Sequence, residues 1–312
     1  MRLFLRNVVL FWPVGVGSLF GQGPTLSGSG YSSPAIWGVA PGQITTLFVT
    51  GLQTVLPEGG AQAETLPAPT SLAGLSLELA QPGRPALPVP LLSLRQISVC
   101  SGDGDSADCL ITALTVQIPF ELQSPPEASA TELTLIENGL RSRAFRVLPV
   151  STQLHILNWC DDLPERSGAA CGGIVAHADG APVTADAPAQ AGETVVIYAY
   201  GLGTTTLDVA TGEATPATAP GAVNAGVETA FDFRANALPS PAYGGSAPLF
   251  AGLTPGQLGL YQINVRIPEE IPPAPACSLE TGVVSNLTID VSVETSGGLS
   301  SDGAPICVEG AL

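Results

Sequence analysis

The sequence contains two pairs of matching segments that lie at nearly the same separation along the chain. Pro41–Leu52 aligns with Ala191–Leu202 at an offset of 150 residues, and Leu114–Pro119 aligns with Ile263–Pro268 at an offset of 149. Solenoid repeats are only about 20–50 residues long, so repeated units of this length are expected to fold as separate domains. The repeat therefore predicts two similar domains, at residues 23–150 and 151–312.

Short runs rich in Val, Ile, Thr, Leu and Tyr recur between turn residues in both units. The 312 residues include 36 Gly and 29 Pro, and no stretch of eleven or more has a convincing helical period. Polar residues alternate with apolar ones at Thr288, Asp290, Ser292 and Glu294, which predicts a strand with one solvent-exposed face. Strands are predicted at Ile44–Thr50, Leu75–Leu79, Leu114–Ile118, Glu132–Ile136, Phe145–Val150, Thr194–Tyr200, Leu260–Ile267 and Ser285–Val293. We predict an all-β chain of two tandem immunoglobulin-like antiparallel β-sandwiches.

Residues 1–22 have the pattern of a secretory signal peptide. Arg2 and Arg6 form a short positive region, and residues 7–20 are nearly all apolar or small. This apolar run is shorter than the roughly 20 residues of a membrane-spanning helix, and none of that length follows. Cleavage would change the formal net charge from −17 to −19. We predict a secreted, extracellular or periplasmic protein, with cell-surface association as an option and no membrane span in the mature chain.

The six cysteines fit a disulfide framework, as expected of an exported chain. Their spacings lack the close CxxC pairs of a zinc site. Sequential pairing closes the smallest loops among the fifteen possible pairings, so the predicted bridges are Cys100–Cys109, Cys160–Cys171 and Cys277–Cys307.

Charge and composition exclude several classes of function. The net charge of −17, without any basic stripe, disfavours nucleic-acid binding. All ten basic residues are Arg, so Schiff-base chemistry and a P-loop lysine are excluded. The only histidines are His155 and His177, which leaves most acid–base, triad and zinc mechanisms without their usual residues. We predict no enzymatic activity and no cofactor.

Three segments resemble a family of secreted bacterial modules described from acidobacterial, Solibacter-type proteins. They are Ala40–Leu52, Ala191–Gly203 and Gly252–Pro268, and the last, with Thr254-Pro255-Gly256 and Tyr261-Gln262-Ile263-Asn264, is the most specific. The opening strand and turn of each copy also resemble IPT/TIG immunoglobulin-like domains. The resemblance implies a two-repeat C-terminal module of exported proteins and no assigned activity.

This sequence departs from the family pattern in an acidic loop of the first copy, between Cys100 and Cys109. Asp103, Asp105 and Asp108 in this loop alternate or nearly alternate with small residues, an arrangement that can supply oxygen ligands to Ca²⁺. The full EF-hand spacing is missing. We therefore favour a solvated, disulfide-closed loop over a calcium site.

The remaining polar motifs receive structural interpretations. Adjacent carboxylates at Asp161-Asp162 and Glu269-Glu270 cannot face each other across a sugar, because neighbours on a strand point to opposite faces. His155 is expected to be a packed or edge histidine, and His177, beside Asp179-Gly180, to lie at the solvent end of a hairpin. A triad remains possible by sequence distance alone, but no G-x-S-x-G motif is present. The glycosylation sequon at Asn286 lies in a predicted strand and is attributed to chance.

Aromatic residues offer an alternative to a purely structural role. Trp37, Trp159 and Tyr243 are candidate residues for stacking on sugar rings. Tyr261, Tyr198 and Phe48 are instead expected to fill the cores. The sequence favours a non-catalytic secreted or cell-surface interaction or scaffold module, whose partner is a protein or glycan of the envelope or extracellular space. The alternative is a carbohydrate-binding module, and no fold-level argument separates the two.

Overall fold

A computed structural model describes residues 25–30, 38–98, 110–125, 130–159, 161, 172–219, 221–278, 280–295 and 298–310, with the backbone alone for 25–30. Every regular element in these residues is a β-strand, and almost all pairings are antiparallel. No helix in these ranges is long and apolar enough to cross a membrane. The fold-class prediction is confirmed in its architecture: the described residues are all-β and form two sandwiches, each of two facing, mainly antiparallel sheets.

In the N-terminal half, the described residues between 25 and 150 form twelve strands in two sheets. They are β1 (Thr25–Gly30), β2 (Gly38–Val39), β3 (Ile44–Thr50), β4 (Ala61–Gln62), β5 (Ser71–Leu72), β6 (Leu75–Ala80), β7 (Leu87–Val89), β8 (Leu91–Ser98), β9 (Leu110–Gln117), β10 (Thr131–Glu137), β11 (Leu140–Arg141) and β12 (Phe145–Pro149). One sheet has the order β1-β3-β9-β8-β4, and the other β2-β12-β10-β6-β5, with β7 and β11 attached to it. Buried Leu47, Leu94 and Leu114 of the first sheet join Leu77 and Leu135 of the second in one core.

In the C-terminal half, eight strands are formed by the residues between 151 and 310 that the structure describes. They are β13 (His155–Ile156), β14 (Val175–Ala176), β15 (Thr194–Tyr200), β16 (Val227–Asp232), β17 (Phe250–Leu253), β18 (Tyr261–Arg266), β19 (Leu287–Thr295) and β20 (Gly298–Ile306). The sheet β13-β15-β18-β17, with β14 paired to β15, faces the sheet β16-β19-β20. Their shared core includes Ile197, Tyr261, Ile263, Ile289 and Val291.

The matching segments of the sequence form matching structures. In the N-terminal half, the Gly42 N–H donates to the carbonyl of Ile118 (3.0 Å), and the Ile118 N–H donates to the carbonyl of Gln43 (2.8 Å). The C-terminal half has the same two bonds. The Gly192 N–H donates to the carbonyl of Ile267 (3.1 Å), and the Ile267 N–H donates to the carbonyl of Glu193 (2.8 Å). The two repeated segments therefore pair with each other, as β3 with β9 and as β15 with β18.

The strand predictions agree closely with the structure, with one error of environment. β3 and β15 have the predicted bounds, and the other six predicted strands overlap β6, β9, β10, β12, β18 and β19. The predicted exposed face of β19 is wrong at Thr288, Asp290 and Ser292, which are buried, and correct at Glu294, which is exposed. Residues 236–242, which we call the strap, cross this face and bind its polar side chains. Buried hydrogen-bond partners replace the water that the alternating pattern predicted.

The two halves contact each other through backbone and side-chain hydrogen bonds. Gly212, in the loop between β15 and β16, donates to the buried Oε1 of Gln117 (2.7 Å) and accepts from the Ala68 N–H (2.7 Å). Next to this bond, the Phe120 N–H donates to Oγ1 of Thr211 (2.9 Å), and the Phe120 ring packs against the core of the C-terminal half.

The Cys277–Cys307 bridge is confirmed, with Cα atoms 5.9 Å apart. Cys100, Cys109, Cys160 and Cys171 lie outside the described residues, so their pairing stays a prediction. The Trp159 N–H donates to the carbonyl of Gly172 (3.2 Å).

Candidate functional site

A cleft of about 400 Å³ opens in the C-terminal half, between the strap and the ends of β13 and β20. Its polar lining includes His155, Asn158 and Asp302, and its apolar lining includes Ile156, Leu238, Pro239, Val284 and Pro305. This size and this mixture of walls are typical of pockets that bind small molecules or side chains of a partner.

His155 lies in this cleft between two carboxylates. Its Nε2 is 3.1 and 3.0 Å from the two oxygens of Asp161, and its Nδ1 is 3.6 Å from Oδ2 of Asp302. Asp161 also accepts the backbone N–H and the side-chain amide of Asn158, at 2.9 and 2.8 Å. The prediction of an edge histidine is therefore correct, since His155 opens the edge strand β13. The sequence did not predict its two partners.

Asp302 ties the start of β13 to the outer edge of β20. Its Oδ2 accepts the N–H of Ile156, and its Oδ1 accepts the N–H of Gly303, both at 2.8 Å. Burial raises the pKa of Asp302, and the two backbone donors and the His155 ring offset this only in part. The hydrogen bonds and the His155 ring thus do not fully offset the cost of removing the Asp302 carboxylate from water.

The strap forms the opposite wall and is fixed by buried polar contacts. Asp290 accepts the backbone N–H of Ser240 at Oδ1 (2.8 Å) and the Ser240 hydroxyl at Oδ2 (2.9 Å). Oδ1 of Asn236 accepts the N–H groups of Val284 and Ser285, at 2.9 and 3.2 Å. Leu238 lies between these anchors and is 82% exposed. The strap therefore presents a large apolar side chain to solvent from a well-fixed backbone.

Trp159 lies at the edge of the cleft and is 55% exposed. A Cβ atom placed on Gly172, which lines the cleft, would lie 3.6 Å from Cδ1 of Trp159. The bridge between Asn158 and Gly173, together with the bond from Trp159 to Gly172, positions the indole there. Of the two predicted sugar-stacking residues that the structure describes, Trp159 and Tyr243, it therefore places Trp159 beside the lining of the cleft.

The second histidine also contacts a partner at each ring nitrogen. Nδ1 of His177 is 2.6 Å from Oε1 of Glu193, and its Nε2 is 3.2 Å from the carbonyl of Ala187. The hydrogen bond with Glu193 raises the pKa of His177, although partial burial opposes it. His177 precedes the turn at Asp179–Gly180, where the sequence predicted it, but it is partly buried.

The other candidate residues are scattered or lie outside the described ranges. Tyr243 is 80% exposed, but it does not line the cleft. Trp37 and the calcium candidates Asp103, Asp105 and Asp108 lie in undescribed segments, so the structure tests neither prediction. Among the described residues, no three His, Cys, Asp or Glu side chains are grouped so that they could hold a metal ion.

Three sequence motifs prove to be structural. Asn286 is fully buried and donates its side-chain amide to the carbonyls of Pro275 and Val308, both at 2.9 Å, so the folded sequon is inaccessible. Gly203, at the end of the repeated segment Ala191–Gly203, accepts a hydrogen bond from the buried Tyr261 hydroxyl. Tyr261 is in the core as predicted, whereas Phe48 and Tyr198 are only half-buried, because both face away from the core of their strands.

Sequence reasoning missed the cleft because its parts are far apart in the chain. Asp302 is 147 residues from His155, and neither the strap nor Leu238 carries a recognisable motif. A local signal existed only for Asp161, which follows Asn158 by three residues, because Asn and Asp are residue types that favour turns.

No family model and no curated protein matches the chain. Among solved structures, a structure titled "Anomalous substructure of Titin-A168169" is similar at 9% identity and a TM-score of 0.21, over 92% of this chain and 98% of that one. A chimeric titin Z1Z2 functionalised with a peptide from decorin has 13% identity and a TM-score of 0.17, over 93% and 99%. A glycosyl hydrolase family 2 member from Bacteroides cellulosilyticus has 10% identity and a TM-score of 0.18, and the match spans 85% of this chain but 24% of that one. At these scores the similarities carry no argument about function.

Proposed function

We propose that the protein is a non-catalytic interaction module of the cell surface or extracellular space, and that it binds its partner in the cleft between the strap and β20. The observation that carries this proposal is the exposed Leu238 on a rigid wall of a 400 Å³ cleft. Large exposed apolar side chains beside such clefts are a common mark of binding sites.

The engagement of the two histidines supports a non-catalytic role. All four ring nitrogens of His155 and His177 face a carboxylate or a carbonyl within 3.6 Å. A general base needs a nitrogen directed at the substrate, and here the nitrogens hold strands and turns together instead. The arrangement therefore suits a binding surface better than acid–base catalysis.

Retention of envelope proteins by immobilised mature protein tests this proposal. We expect Leu238→Ser to reduce retention of the bound envelope protein several-fold. Leu140→Ser is the matched control, because Leu140 on β11 is 77% exposed and lies outside the cleft. Equal retention by wild type and the Leu238 variant would refute the cleft as the binding site.

A second candidate is a carbohydrate-binding module, favoured by the exposed indole of Trp159 at the edge of the cleft. Sugar rings stack on such aromatic faces. Pull-down on a panel of insoluble polysaccharides tests this alternative, and Trp159→Ala should abolish retention on one specific glycan. Retention on no glycan, or retention that survives Trp159→Ala, would exclude this function for the cleft.

We also propose export through the N-terminal signal peptide, in line with the disulfide at Cys277–Cys307 and with the resemblance to secreted acidobacterial modules. Disulfides persist in oxidising compartments outside the cytoplasm. N-terminal sequencing of protein from the native host should find a mature chain that begins close to residue 23. A chain that retains residues 1–22 would contradict this.

A further inference from the structure

The two carboxylates beside His155 differ in how many hydrogen bonds they can still accept. Asp161 contacts two donors of Asn158 and, with both of its oxygens, the single Nε2 atom of His155. Among the described residues, Asp302 accepts two backbone N–H groups, and Nδ1 of His155 is 3.6 Å from its Oδ2, beyond hydrogen-bond distance. A carboxylate has about four lone-pair sites, so Asp302 can accept further donors.

The position of Asp302 makes these remaining sites available to a ligand. Its side chain is 27% exposed and lines the cleft directly. Among the described residues that line the cleft there is no Arg, and the chain contains no Lys. His155 is the one titratable cation in that described lining, and two carboxylates, Asp161 and Asp302, face its ring. The described groups therefore leave an excess of negative charge at Asp302, and a cationic ligand group would neutralise it.

The apolar part of the cleft defines the rest of the ligand. Leu238 and Pro239 on the strap, and Val284 and Pro305 opposite, form walls that desolvate a ligand at the same time as Asp302 attracts it. A metal cation or a small ammonium ion would leave these walls unused. A peptide that carries a cationic side chain next to an aliphatic one would use both features.

We propose that the cleft recognises an arginine-containing segment of a partner protein, with the guanidinium on Asp302 and a neighbouring aliphatic side chain on Leu238. This inference rests on the proposed function and names the chemistry of the partner. Arginine suits the site better than lysine, because a guanidinium is more weakly hydrated and its planar donors match a carboxylate. The overall charge of −17 also favours encounter with a basic segment.

Two capped tripeptides that differ in one charge provide the test. Acetyl-Leu-Arg-Leu-amide is compared with acetyl-Leu-citrulline-Leu-amide, which keeps the shape and removes the charge, in calorimetric titrations of the oxidised mature protein at low ionic strength. We expect the citrulline peptide to bind at least about tenfold more weakly, as for loss of a charge-assisted hydrogen bond. Asp302→Asn should remove this difference, and Leu238→Ser should weaken both peptides, whereas Leu140→Ser should change neither.

The outcomes separate this inference from the proposed function. Equal binding of the two peptides to wild type, or discrimination that persists in Asp302→Asn, overturns the inference while leaving the Leu238-dependent retention of an envelope protein intact. Binding of cellobiose that requires Trp159, with neither peptide bound, overturns it in favour of the glycan alternative. The comparison of peptides on wild type needs no variant, so it remains decisive if Asp302→Asn does not fold.

Discussion

The same turn occurs once in each half of the protein, and its two versions differ in charge. In the N-terminal half, Oε1 of Gln43 accepts the N–H of Ala40 at 2.8 Å. In the C-terminal half, Oε2 of Glu193 accepts the N–H of Gln190 at 2.9 Å, across the same three-residue separation. An amide and a carboxylate therefore form the same cap at positions 150 residues apart.

A second pair of equivalent residues differs in the same direction. Gly42 and Gly192 lie at equivalent positions of the two turns and have positive φ values of 71° and 75°. In each turn, the side chain that contacts this glycine comes from the residue two positions after Ile118 or Ile267. That residue is Phe120 in the N-terminal half and Glu269 in the C-terminal half, where Glu269 pairs with Arg266 at 2.9 Å. The backbone turn is the same, but Gln43 and Phe120 of the first turn are neutral, whereas Glu193 and Glu269 of the second turn are acidic.

The contact between the two halves explains this difference. Gln43 is buried, and a Cβ atom placed on Gly201 of the C-terminal half would lie 3.5 Å from its Cγ. Gly259 similarly lies against Gly42 and Ile44. The first turn is thus covered by the second half, whereas Glu193 and Glu269 of the second turn are partly or largely exposed. Burial selects the amide, because a buried unpaired carboxylate is far more costly than an amide.

Gln43→Glu is expected to have the largest effect on stability. It introduces the glutamate of the exposed turn, Glu193, at the equivalent position of the buried turn. We expect a loss of about 3 kcal/mol in the free energy of unfolding at pH 7. Burial should raise the pKa of the new carboxyl, so the loss should appear as pH rises through this pKa and largely disappear below the ordinary glutamate range. Denaturant unfolding at pH 7 and pH 4 measures both. A loss below about 1 kcal/mol at pH 7 would contradict the burial argument.

Phe120→Ala should have an intermediate effect and should show whether coverage by the second half is the cause. The ring is partly buried against the core of the C-terminal half, so we expect a loss of about 2 kcal/mol. Its removal admits water near Gln43, so the Gln43→Glu penalty should shrink in the Phe120→Ala background. A double-mutant cycle by denaturant unfolding measures this coupling.

The matched control for Phe120 is its counterpart in the other half. Glu269→Ala removes an exposed side chain, so its effect should stay within about 0.5 kcal/mol. If the Phe120 and Gln43 substitutions prove additive, the charge difference between the two turns has another cause.

The sequence predicted what depends on local pattern and repetition. The strand bounds of β3 and β15, the absence of helices from the described residues and the Cys277–Cys307 bridge all followed from short-range features. The equivalence of Gln43 and Glu193 was also visible in the alignment of the two copies. Its physical meaning was not, because only the packing of Gly201 onto Gln43 reveals which turn is covered.

What the sequence could not predict depends on contacts between distant segments. The pattern of β19 predicted water over Asp290, but Ser240 of the strap occupies that face. The cleft likewise combines His155 with Asp302, which lies 147 residues further along the chain, and no local sequence pattern predicts that contact. The alternation of polar and apolar residues therefore predicted the strand β19 correctly, but it predicted solvent where the strap covers the strand.

The smallest expected effect concerns His177, which contacts Glu193. The capping residue of the equivalent turn is Gln43, and the N-terminal half contains no histidine. The hydrogen bond to Glu193 raises the pKa of His177 above the ordinary histidine value of 6.5. A raised pKa means that the stabilisation is fully present below the unfolded-state value and is lost as pH rises through the folded-state value. His177→Gln should therefore cost less than about 1 kcal/mol at pH 6, and the cost should fade between neutral pH and pH 8.5. Denaturant unfolding of wild type and variant from pH 5.5 to 8.5 measures the difference, with Glu193→Gln as the reciprocal variant that should flatten the same profile. A cost that is constant over this range would show that the His177 ring acts through packing alone, and the two turns would then differ in burial but not in their response to pH.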